Sequence, residues 1–157
     1  MELCEVEVPD QWASLLAHDV IEARESITIT ALSFLPPGQK QVGLWPALWR
    51  EICAASARGV RVTLVFPAPT RAHPATAANS SAAAAAHAAG MRVHQVRGPR
   101  LLHAKQVIID ENLCWVGSGN FTAAACTFNH ETYARIKSQS LAARLLGRIS
   151  AMVERGG

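Results

Sequence analysis

The chain has 157 residues and a formal net charge of +3 at pH 7; half of its residues are hydrophobic and 17% are charged. That balance excludes a largely disordered chain, and a length near 150 suits a single domain, 1–157, with a core of its own. No apolar run reaches the roughly 18 residues of a membrane span. The opening MELCEVEVPD is acidic and alternating rather than basic and then apolar, which is not the pattern of a secretory signal. Cys4, Cys53, Cys114 and Cys126 form no CxxC pair and are expected to be reduced and mostly buried, with Cys4 the one to watch for exposure. A pI near 8.9 permits an anionic partner. Composition therefore points to a soluble, cytoplasmic protein and is silent on chemistry.

Along the chain, Asp10 is placed to cap a helix from Gln11 to about Arg24, with Trp12, Leu15, Leu16, Val20 and Ile21 at helical spacing. Ser26 to Phe34 is β-branched and alternating, so it reads as a strand, and LPPG at 35–38 opens a loop to about Val42. A second helix from Leu44 to Ala57 carries Trp45, Leu48, Trp49 and Ile52 on one side, with Pro46 in its first turn. Val60 to Phe66 is a strand, and Pro67, Pro69 and Pro74 mark another loop. Ala75 to Ala89 is alanine-rich with Gly90 at a C-cap position, so helix is preferred over linker. Strands follow at Met91–Val96, 103–110, 113–118 and Glu131–Lys137, and a helix from Leu141 to Glu154 closes the chain. This pattern predicts an α/β fold with a mixed sheet between helical layers.

The informative segment is LLHAKQVIIDENLCWVGSGNFT, residues 101–122. His103 and Lys105 are two apart on one strand, as are Ser118 and Asn120 at the end of the next. A two-residue turn at Glu111-Asn112 would pair Lys105 with Ser118 and His103 with Asn120, gathering four polar groups on one face. Val107, Ile109, Cys114 and Val116 would then lie below them, with Ile108, Leu113 and Trp115 on the other face. A three-residue turn would slip the register and send Ser118 and Asn120 to the opposite side; the two-residue version is preferred because it makes a site. A lysine beside an imidazole, an amide and a hydroxyl, with no carboxylate to neutralise it, suits an anion such as a phosphoryl group.

His103-x-Lys105-x4-Asp110-x6-Gly117-Ser118-x-Asn120 resembles the signature of the phospholipase D superfamily. Asn120-Phe121-Thr122 and Asn129-His130-Glu131 are similar to the family's segment after that signature, and the strand–helix–strand at 26–66 to its first half. The likeness is weakest over 67–100. It implies the phospholipase D-like α-β-α fold, a mixed β-sheet sandwiched between helices. One copy of the motif further implies the single-motif, endonuclease-like branch, in which two subunits of a homodimer complete one site across a twofold axis. The implied chemistry is a phosphodiesterase reaction, most readily a nuclease acting on DNA or RNA, without metal or other cofactor. One His103 attacks phosphorus to give a phosphohistidine and the other protonates the leaving oxygen. Lys105 and Asn120 would hold the non-bridging oxygens, Ser118 would donate its hydroxyl, and Glu131 would orient the imidazole. Asp110, seven residues past His103, reads as structural or supporting. Arg97 and Arg100 sit just before the motif, as an exposed loop pair or as contacts to a nucleic-acid backbone. Trp12, Trp45 and Trp49 read as core, with Trp45 a candidate exception as a stacking platform. Two other readings stay open: a phospholipase or transphosphatidylase with the 35–46 loop facing membrane lipid, and a non-catalytic nucleic-acid-binding module.

Overall fold

The computed structural model describes residues 4–38 and 41–156, so residues 39 and 40 of the 35–42 loop and the first three residues of the opening segment lie outside the described residues. In chain order the elements are β1 (Glu5–Glu7), α1 (Trp12–Glu22), β2 (Ser26–Thr30), α2 (Leu44–Ala57), β3 (Arg61–Pro67), α3 (Asn79–Ala88), β4 (Arg92–Val96), β5 (Lys105–Ile109), β6 (Leu113–Gly117), α4 (Ala123–Thr127), β7 (Tyr133–Lys137) and α5 (Gln139–Gly156). The seven strands form one sheet in the order β1-β7-β6-β5-β2-β3-β4. Strands β2, β3 and β4 run parallel, while β5, β6, β7 and β1 pair antiparallel in turn. The mixed sheet between helical layers is the architecture expected from the alternating pattern.

Trp12, Leu16 and Val20 of α1 and Trp45, Leu48 and Ile52 of α2 pack with Ile27, Val107, Ile109, Trp115 and Tyr133 on one side of the sheet. Ala142, Leu145 and Ile149 of α5 cover Val65, Ile108 and Cys114 on the other. Both faces of β5 are thus apolar, as a strand between two helical layers requires. The alanine-rich stretch is helical because Ala82 and Ala86, both fully buried, let α3 lie close against the sheet. Gly90 ends that turn with φ +77°, the left-handed conformation anticipated for it.

One expected helix cap needs correction, and two short elements are additional to those expected. Asp10 does not cap α1; the helix starts at Trp12 after Gln11 with no side-chain cap. β1 pairs with β7 although its three residues are all exposed, so no buried face marked it in the sequence. Short α4 was also missed; the Thr122 hydroxyl caps it by accepting from the Ala125 amide at 3.3 Å.

The largest correction concerns register. Ile109 pairs with Leu113 and Lys105 with Gly117, so the β5–β6 connection has three residues rather than two. Asp110 and Glu111 both take positive φ, 50° and 52°, and the Asn112 amide closes the turn on the Ile109 carbonyl. Trp115 and Leu113 therefore share the side of Val107 and Ile109, and Cys114 shares that of Ile108. The two-residue turn gives way to a three-residue one because Asp110 enters the left-handed region, which aspartate adopts more readily than most residues.

Candidate active site

Strand β5 lies between β2 and β6, and its first residue is Lys105. After Gly117 the chain leaves β6 and reaches the exit of β2, where Phe121 bridges Phe34 in parallel. The Phe121 amide donates to the Ser33 carbonyl at 3.2 Å, and the Leu35 amide to the Phe121 carbonyl at 3.0 Å. A segment running from β6 to β2 must cross the end of the strand between them. This strap, residues 118–121, carries Ser118 and Asn120 past the Lys105 end of β5.

The strap's path depends on two glycines. A Cβ at Gly117 would lie 2.4 Å from the Thr132 carbonyl oxygen and 2.5 Å from the Tyr133 ring. Gly119 sits against Tyr133, Glu131 and Trp12, and its carbonyl accepts the buried Tyr133 hydroxyl. Asn120 is fixed by its Oδ1, which accepts the Ser33 amide at 3.2 Å. The fully buried Asn79 binds three backbone groups at the exits of β2 and β3. Its Nδ2 donates to the Leu32 and Pro67 carbonyls at 3.0 and 2.9 Å, and its Oδ1 accepts from the Phe34 amide at 3.0 Å. Nothing in the sequence singles out Asn79, which falls inside the alanine-rich stretch 75–89.

Lys105 is 5% exposed. Its Nζ donates to the His103 carbonyl at 2.7 Å and lies 2.8 Å from His103 Nδ1. It makes no ion pair among the described residues. Burial lowers its pKa, and the negative charge of Glu131 partly offsets that effect. The preceding backbone is pinned by the Thr30 hydroxyl, which donates to the Ala104 carbonyl at 3.1 Å. His103 itself is exposed. A buried cation whose polar partners are a backbone carbonyl and an exposed imidazole, with a carboxylate felt only at longer range, leaves positive potential open to an anion.

Glu131 meets Ser118 and Asn129 rather than the imidazole. Ser118 Oγ donates to Oε2 at 2.5 Å, Asn129 Nδ2 donates to Oε1 at 3.0 Å, and Ser118 Oγ also accepts the Thr132 amide at 3.1 Å. Here the Ser118 hydroxyl proton is engaged by Glu131, so Ser118 and Asn129 act on the carboxylate's position. Asp110 sits at the opposite end of β5 from Lys105. Its carboxylate accepts the amides of Arg24, Glu25 and Ser26 at 2.8–3.3 Å, joining the β5–β6 turn to the start of β2. Desolvation pushes its pKa up, but those three amides and the Arg24 charge outweigh it, so the net position is below 3.8. Arg97, directly after β4, and Arg100, in the loop to β5, are both exposed.

The family model described as the cardiolipin synthase phospholipase D-like domain matches residues 16–153. The chain belongs to the phospholipase D-like domain family. Members of this family are enzymes that cleave or transfer phosphodiesters. Cardiolipin synthase A from Shigella dysenteriae is 29% identical over 123 residues, covering 78% of this chain and 24% of that protein. The chain thus spans about a quarter of the length of the curated relatives it matches. Among solved structures, Nuc from Salmonella typhimurium, a phospholipase D family member, superposes with a TM-score of 0.79 at 25% identity, covering 99% of this chain and 97% of that one. NucT from Helicobacter pylori shares the fold, with a TM-score of 0.74 at 18% identity over 97% of this chain and 96% of that one.

Other side chains of the phospholipase D-like domain prove structural. Trp45 is buried, donating its Nε1 to the Leu35 carbonyl at 2.7 Å, so it offers no stacking face. Burial pushes the Cys114 and Cys126 thiols up to about 11 and about 12, which keeps them unreactive. Cys4 is exposed, as anticipated.

Proposed function

We propose that this chain is a phosphodiesterase that cleaves nucleic acid through His103. The observation that carries the reading is the pairing of exposed His103 with buried Lys105, an ammonium that has no ion pair among the described residues. An incoming phosphodiester competes for Lys105 Nζ. Drawing the ammonium onto a non-bridging oxygen neutralises that oxygen and frees the imidazole nitrogen for attack at phosphorus. The bond from nitrogen to phosphorus forms as the ester oxygen leaves. Water then breaks the phosphohistidine and takes its place on phosphorus. Asn120, held at the end of β5 by the Ser33 amide, offers its side-chain amide hydrogens to the same oxygens. Glu131, fixed by Ser118 and Asn129, supplies the negative charge that Lys105 feels.

One chain supplies one imidazole of this kind, and protonation of the leaving oxygen needs a second acid. We place that acid on the His103 of a second copy, facing the first across a twofold axis. The near-complete overlap with Nuc and NucT and the net charge of +3 support nucleic acid as substrate. A specific observation favours one other reading. The match to cardiolipin synthase, together with exposed Leu35 and Val42 before α2 and Leu44 at its start, suits a lipid phosphodiester.

The test is cleavage in EDTA of single- and double-stranded DNA and RNA, in parallel with phosphatidyl substrates in vesicles. Oligonucleotide cleavage that is lost in His103→Ala supports the nuclease reading; turnover on vesicles alone transfers it to lipid. Mixed dimers of wild-type and His103→Ala chains should fall close to the mutant's activity. Half-activity would mean that each chain carries a complete site.

A further inference from the structure

Phe128 breaks the pattern set by every other aromatic side chain. It is 79% exposed, whereas the remaining Phe, Trp and Tyr residues are buried or half-buried. It makes no ring contact among the described residues. An exposed phenyl forgoes the burial that its neighbours gain. Its backbone is nevertheless fixed: the amides of Phe128 and Asn129 both donate to the Ala124 carbonyl at 2.9 Å, closing the last turn of α4. The next residue, Asn129, donates its side chain to Glu131, which in turn holds Ser118. A bare aromatic face is thus anchored one residue from the hydrogen-bonded group that borders the phosphate site.

We propose that Phe128 is a stacking platform for an unpaired nucleobase next to the scissile phosphate, so that the substrate is taken as a single strand. The inference rests on the nuclease reading above. Any base offers a flat π-face once it is unstacked and unpaired, whereas a duplex hides those faces against neighbouring pairs. A bilayer suits this position less well. The residues flanking the ring in the chain, Thr127, Asn129 and His130, are polar and exposed, so no apolar run surrounds it in the sequence.

The experiment compares kcat/KM on a single-stranded oligonucleotide with that on the same strand carrying abasic sites beside the cleaved phosphate, all in EDTA. Wild type should favour the base-bearing strand. Phe128→Trp should keep that preference, and Phe128→Ala should reduce the ratio by about 5- to 150-fold. A thermal melt of each variant confirms folding, which the exposure of the side chain favours. An unchanged ratio in Phe128→Ala, with oligonucleotides still cleaved, overturns the stacking role and leaves the nuclease reading standing. Failure of wild type to cleave either strand overturns both. Loss of vesicle binding in Phe128→Ala, with the ratio unchanged, would assign the ring to a lipid surface instead.

Discussion

At one end of β5 the Asp110 carboxylate accepts three consecutive backbone amides; at the other, the Lys105 ammonium bonds, among the described residues, only to His103, two residues away. Both charges belong to one short motif and stand five positions apart. The acidic end is closed, because its partners are the chain's own amides and their number saturates the carboxylate. The basic end is open, because its partners are the exposed His103 imidazole and that residue's carbonyl, and its charge has no counter-ion within ion-pairing distance among the described residues. Burying an unpaired cation costs stability unless something repays it. The contrast underlies the proposed anion-binding role of Lys105 and sets Asp110 apart as a residue that ties the β5–β6 turn to β2.

The sharpest way to break this comparison is Lys105→Met. Activity should fall about 10²- to 10³-fold, as for loss of a transition-state donor, while the melting temperature stays level or rises because a buried unpaired charge is gone. A large loss of stability would show that Lys105 is a structural residue like Asp110. Asn79→Ala should act in the opposite sense. It leaves the Leu32 and Pro67 carbonyls and the Phe34 amide without their partner, at a cost of about 3 kcal/mol in chemical denaturation. Activity should also drop as the Ser33 segment that holds Asn120 loosens.

Asp110→Asn should cost about 1–2 kcal/mol at neutral pH and leave kcat of the folded protein near wild type. The folded-state pKa of Asp110 lies below its ordinary 3.8. Its contribution is therefore present above the unfolded value and is lost as pH falls through the folded one. Urea denaturation across that acid range should show the gap between wild type and Asp110→Asn closing; a gap that stays constant would mean the carboxylate charge plays no part. The smallest effect lies at alkaline pH. Burial lowers the Lys105 pKa from 10.5, and the protonated form is the one that binds an anion. The kcat/KM profile should decline as pH rises through that lowered value, so a profile still flat at 10.5 contradicts the role given to Lys105.

Much of this was legible in the sequence, for identifiable reasons. α2 was placed at Leu44–Ala57 because Trp45, Leu48 and Ile52 bury one stripe, and the spacing of His103, Lys105 and Asn120 pointed to a phosphate site. The β5–β6 register was misread because Asp110 and Glu111 occupy left-handed backbone, made tolerable by amides more than eighty residues away that no local pattern encodes. With that register the 118–121 strap, rather than strand pairing, carries Ser118 and Asn120 past the end of β5 toward β2. Glu131 was expected at the imidazole and lies instead with Ser118 and Asn129. Asn79 went unnoticed because its partners at 32, 34 and 67 are distant in sequence.

The central claim, that His103 is the nucleophile poised by Lys105, is tested most directly by trapping the intermediate. Wild type and His103→Ala would be mixed with a cleavable phosphodiester in EDTA, quenched in denaturant within the first turnovers under non-acidic conditions, and mapped by peptide mass spectrometry. The account predicts a phosphoryl adduct on His103 in wild type, and neither adduct nor turnover in the variant. An adduct on another residue, or turnover by His103→Ala close to that of wild type, would contradict it.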